Sequence, residues 1–418
     1  MKFHSKPQSI CRICGRSDLR AYLDLGLHPP SNSFIYPDEA DEEQRFPLVV
    51  NLCRGCGLSQ LSEVVAATDI FTDYVYLSST SKALVDHYQE MVNDLLGAFA
   101  PSSGSLVIDI GCNDGITLSC YPAGRFKLLG IEPSSSGEYA VSAGFTVEKY
   151  FFDAQAALKI RDKYGRATII TATNVFAHVD DIRSFTQGIA RLLTDDGVFI
   201  IEFPYLREMI EHRYFDTIYH EHLSYLALTP VMHLFSDYGM RPFRVERVDI
   251  GASGPALRLY VCLGESSRVT DKSIPEMLAA ELDWGASRVE TYSEFADHVV
   301  ELKDQLLRII RNLNASGRRV GAYGAPAKGN TLLNYLGATR DDILAVAENN
   351  PLKTGKLTPG THLRVVSDEE FLRLEISHAL LLTWNYADYF LINSEFIRKG
   401  GKFIVPFPSP SILPDEVR

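Results

Sequence analysis

Short apolar runs alternate with amphipathic stretches through the middle of this 418-residue chain. Ser105–Ile110 (SLVIDI), Lys127–Ile131, Ala167–Ala172 and Val198–Glu202 have strand length and little internal polarity. Such runs mark strands buried on both faces. Helical patterns such as Asp181–Leu193 lie between them. A β-α-β-α order implies a mostly parallel, doubly wound sheet. The pattern returns near the end. Val299–Leu313 places Leu302, Leu306, Ile309, Ile310 and Leu313 toward a core, and Arg319–Tyr323, Ile343–Ala347 and Ala379–Thr383 follow as strands. The expectation is an α/β protein in three parts: a small module at 1–75, a first Rossmann-like domain at 76–284 and a second, C-terminal one at 285–418.

Composition narrows the partners. Apolar residues at 46% and charged residues at 22% exclude a disordered chain. The 53 acidic side chains outnumber the 41 basic ones, for a net charge of −12. That sign argues against nucleic acid and against anionic membranes, though not against one phosphorylated small molecule in a basic pocket. No apolar run reaches transmembrane length. Met1–Ile10, with Lys2, His4, Lys6 and Pro7, has no apolar signal core. A cytoplasmic monomer or small homo-oligomer is expected.

The seven cysteines are an odd number, which makes a disulfide framework a poor expectation. Four form two C-x2-C pairs, Cys11 with Cys14 and Cys53 with Cys56, each followed closely by Gly15 or Gly57. Two thiolates on each tight turn can surround one Zn²⁺ as a tetrahedron. Such a closed site leaves no place for substrate, so the zinc is expected to be structural. It would also explain how a segment with Pro29, Pro30, Pro37 and Pro47 folds. Cys112, Cys120 and Cys262 read as ordinary buried thiols.

In open α/β sheets, ligands bind at the carboxyl ends of strands. The first strand ends in Asp109-Ile-Gly111-Cys-Asn113-Asp114-Gly115. Glycine lets a ligand approach the backbone, but the turn is acidic and lacks the dinucleotide fingerprint's third glycine. The second strand ends in Glu132-Pro133-Ser134, where a carboxylate can accept from ribose hydroxyls. An acidic turn with an acidic second strand end suits S-adenosylmethionine, which joins an adenosine to a cationic sulfonium. Asn174 opens the loop Asn174-Val-Phe-Ala-His178 on the same edge. Past the strand Val198–Glu202 comes Phe215-Asp-Thr-Ile-Tyr219-His220-Glu221-His222. With His178 it makes an acid–base cluster at the same mouth. In the last segment, Gly324-Ala-Pro-Ala-Lys328-Gly329-Asn330 is not a P-loop, because lysine precedes glycine. A backbone turn with a lysine still suits a diphosphate. Glu348 and Lys353 follow the next strand.

The glycine turn and second-strand carboxylate resemble those of class I S-adenosylmethionine-dependent methyltransferases. With the paired C-x2-C segment, the whole chain resembles the zinc-containing nucleotide-sugar C-methyltransferases. These methylate carbon 3 of a nucleotide-linked 4-keto-6-deoxysugar. Further matches are Tyr74-Val-Tyr76-Leu-Ser78-Ser79, Ala325-Pro-Ala-Lys328 and Pro351-Leu-Lys353-Thr-Gly355-Lys-Leu-Thr-Pro359-Gly360. The resemblance implies His222 as general base, with Tyr219, Glu221, His178 and Tyr76 beside the reacting sugar. It implies donor binding by Asp109, Gly111, Asn113, Asp114, Gly115, Glu132, Pro133, Ser134 and Asn174. It also implies that Tyr74, Ser78, Ser79, Lys328, Asn330, Glu348 and Lys353 hold the nucleotide-diphosphate sugar. One stretch departs from the family: Gly251-Ala-Ser253-Gly254-Pro255-Ala256 stands where many members carry His-Gly-Gly-Ser before a Leu-Arg strand. An O-methyltransferase, or a non-catalytic zinc-bearing adaptor, would fit the same outline.

Overall fold

The structure is a computed structural model that describes residues 2–71, 77–249 and 255–414. Its centre is a seven-stranded sheet in the spatial order Met240–Val248, Ala256–Leu263, Leu193–Pro204, Ala167–Thr173, Leu106–Ile110, Lys127–Ile131, Thr146–Glu148. Every strand is parallel to its neighbours except Ala256–Leu263, which is antiparallel to both. The four runs anticipated from the sequence are the central strands. Side chains alternate across the sheet. Val107, Ile169, Val198 and Ile200 pack under the helix Lys82–Phe99, through Tyr88, Met91, Val92 and Leu95. Ile108, Ile170, Phe199 and Ile201 join the larger core on the other face, with Phe185 and Ile189 of the helix Ile182–Leu192. That helix starts where Asp181 accepts from the backbone N–H of Ser184.

The C-terminal sheet has six strands in the order Val365–Val366, Val346–Ala347, Val320–Tyr323, His378–Leu381, Lys402–Val405, Ser411–Leu413. In chain order this is 3-2-1-4-5-6, the doubly wound dinucleotide-binding arrangement, with only the last strand antiparallel. Its switch point lies between the ends of Val320–Tyr323 and His378–Leu381. Gly324 turns there with φ 79°, and a Cβ on it would lie 2.6 Å from Thr383.

The N-terminal sheet depends on more than its own segment. Its order is Ser224–Tyr225, Ser59–Leu61, Phe46–Cys53, Leu19–His28, all antiparallel. The fourth strand is therefore supplied by the residues directly after Tyr219–His222. The 27-residue helix Val289–Ala315 packs Tyr292 against Tyr22 of this sheet, ring centroids 4.9 Å apart. Glu43 accepts from the Gly360 N–H at 2.7 Å, and Asn330 donates to the Ser31 carbonyl at 2.7 Å, so the connection between Leu19–His28 and Phe46–Cys53 also grips the C-terminal domain. Among the described residues, no helix is long and apolar enough to cross a membrane.

One buried carboxylate sets the start of the helix that follows the site. Glu281 is fully buried and accepts from the N–H groups of Leu228 and Thr229, both at 2.7 Å, and from Thr229 Oγ1 at 2.6 Å. It does from another helix what an N-cap side chain does locally. Glu281→Ala should lower stability by about 2–3 kcal/mol, the scale of charge-assisted hydrogen bonds. Urea unfolding followed by far-UV circular dichroism measures this, and an unchanged midpoint would refute the assignment.

Candidate active site

The two C-x2-C turns face each other. All four sulfur atoms lie within 4.8 Å of one another, with Cys11 to Cys56 and Cys14 to Cys53 both 3.5 Å. A tetrahedron with zinc–sulfur bonds of ~2.3 Å has sulfur–sulfur edges of about 3.8 Å. The donor set is therefore already gathered to the size of a tetrathiolate zinc site. All seven cysteines are free, and Cys112, Cys120 and Cys262 are buried as anticipated.

At the end of Leu106–Ile110, Gly111 turns at φ 69°, and a Cβ there would lie 2.3 Å from Val175. Only glycine lets this turn lie against the loop that leads to His178. Asp109 sits beneath the turn and accepts from Thr171 Oγ1 at 2.6 Å; burial pushes its carboxyl up to about 7. Glu132 accepts from the Asn113 N–H at 2.9 Å through one oxygen and from the Ser134 N–H at 3.0 Å through the other. Asp114 Oδ2 accepts from the Ser79 N–H and Asn113 Oδ1 from the Ser78 N–H, each at 3.0 Å. Asp114 Oδ1 is buried without a hydrogen-bond partner among the described residues. These acceptors around an open glycine turn fit the ammonium, sulfonium and ribose of S-adenosylmethionine. Asn174 takes the left-handed conformation, φ 57°, and directs its amide toward Tyr88 Oη at 3.4 Å.

The histidines meet above this edge. His178 and His222 lie 4.8 Å apart, centroid to centroid. His222 Nδ1 is 2.8 Å from the Thr217 carbonyl, and His178 Nδ1 is 2.7 Å from the Glu221 carbonyl. A carbonyl only accepts, so each Nδ1 carries the proton and each neutral ring keeps its lone pair on Nε2. His222 Nε2 lies 3.1 Å from Tyr219 Oη, which can donate to it. Burial, then the neighbouring His178, holds His222 down at about 3, and burial also lowers His178. Glu221 accepts from Asn32 Nδ2 at 2.7 Å. Burial pushes its carboxyl up to about 7, against that hydrogen bond and the charge of Lys353. His220 turns away and bonds the Pro47 carbonyl at 3.2 Å, so it docks the motif onto the N-terminal sheet.

The C-terminal residues anticipated for substrate converge on the second switch point. Lys353 donates to the Ala325 carbonyl at 2.8 Å. Glu348 accepts from the N–H groups of Ala325 at 3.1 Å, Asn349 at 2.9 Å and Asn350 at 3.0 Å. Lys328 is buried, donates to Asn385 Oδ1 at 2.5 Å and lies 4.1 Å from the Trp384 ring centre. Asn330 is placed at the seam with the N-terminal module, its Oδ1 buried without a partner among the described residues. Ser78 and Ser79 lie at the donor turn. Tyr74, Tyr76 and Gly251–Gly254 lie outside the described residues.

Several contributors carried no sequence signal. Asn32 sits in a proline-rich stretch, far along the chain from Glu221. His87 of the helix Lys82–Phe99, Glu202 and Arg258 form a buried polar group; His87 Nε2 lies 2.9 Å from Glu202 Oε2, and Arg258 bonds the same carboxylate. Asp216 lies within the motif that ends at His222, but its partner carried no signal: it accepts from Trp384 Nε1 at 2.6 Å. Only the folded chain brings these partners together.

Three family profiles match the chain. One described as a zinc binding domain covers residues 11–71, one described as a methyltransferase domain 84–243, and one described as a C-methyltransferase C-terminal domain 251–408. The C-methyltransferase NovU of Streptomyces niveus is 31% identical over 421 residues, covering 98% of each chain. Among solved structures, the magnesium protoporphyrin IX methyltransferase ChlM of Synechocystis, crystallised with bound S-adenosylmethionine, is 17% identical. It covers 46% of this chain and 88% of its own, at a TM-score of 0.33. An S-adenosylmethionine-dependent methyltransferase of Anabaena variabilis is 16% identical, over 42% of this chain and 84% of its own, with a TM-score of 0.32.

Protein purified without chelators should contain one equivalent of zinc by elemental analysis, and Cys53→Ser should lose it together with solubility. Full zinc in the Cys53→Ser protein would exclude this thiol as a ligand. Glu132→Ala should weaken S-adenosylmethionine binding by about 1.5–3 kcal/mol in calorimetry, as lost charge-assisted hydrogen bonds do. Lys353→Ala should leave that binding unaltered.

Proposed function

This chain belongs to the zinc-containing, S-adenosylmethionine-dependent C-methyltransferases, and from that premise we propose that it methylates carbon 3 of a nucleotide-linked 4-keto-6-deoxysugar, with His222 as the base. The observation that carries the reading is the neutral His222 ring: its Nδ1–H is fixed on a carbonyl and its Nε2 lone pair sits beside a tyrosine hydroxyl. S-adenosylmethionine is the methyl donor, and bound at the glycine turn it supplies an electrophilic methyl group. The four thiolates hold a structural zinc ion.

An sp³ C–H is not a nucleophile until its proton is removed. A ketone on the adjacent carbon lets the resulting charge move onto oxygen as an enolate. In this reading His222 Nε2 takes the carbon-bound proton. Burial makes an isolated imidazolium costly here, but the enolate arises beside it, so the two charges form as a pair. For Nε2 to take that proton the Tyr219 hydroxyl must leave its lone pair, and in this reading it turns to donate to the enolate oxygen instead. His178, held by its Nδ1–H, limits how His222 can tilt.

Glu132 supports the donor's place. Each of its oxygens already accepts one backbone N–H, which leaves one acceptor position on each for the two hydroxyls of a ribose. The nucleotide diphosphate belongs, in this reading, at the C-terminal switch point, beside the Gly324 turn, Lys328 and Lys353. Lys353 also lies close enough to Glu221 to influence its ionisation, which joins the two ends of the substrate site. Tyr74 and Tyr76 are proposed to line the sugar, and the chain is proposed to divide at 75 and 284 into its three parts.

Proton removal need not wait for methyl transfer. With S-adenosylhomocysteine in the donor site, the enzyme in D₂O should place deuterium on carbon 3 of the correct 4-keto sugar. His222→Asn should lose exchange and turnover by roughly 10²–10⁴-fold while binding both ligands. Exchange that survives His222→Asn would move the base elsewhere. A methyl ether product with no carbon-bound deuterium would replace carbon methylation with oxygen methylation.

The pH dependence gives a separate check. A base held at about 3 is already deprotonated across the neutral range, so His222 adds no acid limb near the usual histidine value of about 6.5. Glu221, raised to about 7, ionises within that range. Asp109 at the donor turn is also raised to about 7, so Glu221→Gln should remove Glu221's share of any inflection of kcat/KM near 7 and reshape the profile. One that persists unchanged there would contradict this assignment.

A further inference from the structure

The zinc turn reaches the active-site loop through one buried guanidinium. Arg12 lies between Cys11 and Ile13, and its side chain is 1% exposed. Its Nη1 donates to Asp180 Oδ1 at 2.7 Å and to the Asp180 carbonyl at 3.0 Å. Lys6, from the same module, pairs with Asp180 Oδ2 at 2.7 Å but is largely exposed. Asp180 stands two residues after His178. The near side of that loop is tied to the catalytic motif: the Leu223 N–H donates to the Ala177 carbonyl at 2.9 Å, and His178 Nδ1 bonds the Glu221 carbonyl.

Burying a guanidinium is costly, and here Nη1 makes both bonds while Nε and Nη2 are buried without a hydrogen-bond partner among the described residues, so the contact is held against a real desolvation cost. A clamp serving only to join two modules would do as well at the surface, where the desolvation cost is small. Here it grips both the side chain and the backbone of one loop residue. Its own position is set by the metal turn: the Arg12 N–H donates to Gln60 Oε1 at 2.9 Å, and the Cys11 N–H to the Arg16 carbonyl at 2.8 Å. We propose that Arg12 is a positioning residue, which through Asp180 fixes the loop carrying His178 against His222, so that the tetrathiolate site governs the geometry of the histidine pair without touching substrate.

The proposal rests on the reading that this pair serves proton removal, and its test separates the two. Full-length Arg12→Met, Arg12→Lys and Asp180→Asn would be compared for zinc content, S-adenosylmethionine affinity, kcat and KM. Histidine Cε1–H resonances would be followed by ¹H–¹³C spectroscopy, with His178 assigned from His178→Asn. Arg12→Met should keep its zinc and donor affinity and leave KM nearly unchanged. Its kcat should fall by about 10–100-fold, the scale of a small misplacement at a reacting centre. The His178 resonance should shift or split. Arg12→Lys, which keeps charge and one donor, should recover part of the rate. Asp180→Asn should lose rate, and combining it with Arg12→Met should add little. An unmoved His178 resonance with parental kcat in zinc-replete Arg12→Met overturns the proposal. So does a rate loss that follows zinc loss and returns on refilling with zinc. Normal turnover in His222→Asn would instead remove the base assignment, and the His178 resonance would still report on the clamp.

Discussion

The pairing of Ser224–Tyr225 with Ser59–Leu61 is the contact on which the site depends. Only Leu223 separates His222 from that two-residue strand, so little slack lies between the His222 ring and a sheet built on the cysteine turns. Short sheets of a small module are marginal by themselves. A tetrathiolate metal site ties the ends of the strands that receive the motif. The tetrathiolate module therefore helps to place the Tyr219–His222 segment. His220 reinforces the same junction by bonding the Pro47 carbonyl.

Around that junction the three parts of the chain meet at Glu221. Asn32 arrives from the N-terminal module and Lys353 from the C-terminal domain, while the carboxylate itself belongs to the segment between them. Burial would drive such a carboxyl to neutrality, and a hydrogen bond and a cation hold it near the balance point. The histidines are handled differently. Each gives its Nδ1 proton to a backbone carbonyl, which sets the tautomer and leaves Nε2 as the only basic atom. Burial keeps both rings neutral, so the site holds basic lone pairs in a region of low dielectric constant.

The two Rossmann-like sheets share a local device. Glu132 braces the first glycine turn through the Asn113 N–H, and Glu348 braces the second through the Ala325 N–H. In both, the carboxylate stands at the end of the next strand, where it anchors backbone before any ligand arrives. Their remaining capacity differs. Glu132 keeps an acceptor position on each oxygen, whereas Glu348 Oε1 already takes two N–H groups. Similar frames can thus present different faces to different ligands.

The amino-acid order alone carried the parallel α/β architecture, because runs such as Leu106–Ile110 and Lys127–Ile131 are apolar on both faces and punctuated by glycine or proline. It also carried the cysteine spacing, the acidic glycine turn and the Tyr219–His222 motif, all of which are local. Contacts between distant segments were beyond its reach. Neither Asn32 with Glu221 nor Arg12 with Asp180 has a periodicity or motif, since their partners lie 189 and 168 residues away. The loan of Ser224–Tyr225 to the N-terminal sheet was equally hidden. A two-residue strand is too short to show alternation, and only packing against Ser59–Leu61 gives its backbone groups partners. Tertiary structure decided these because a buried polar group must find its partner wherever the fold brings one within about 3 Å.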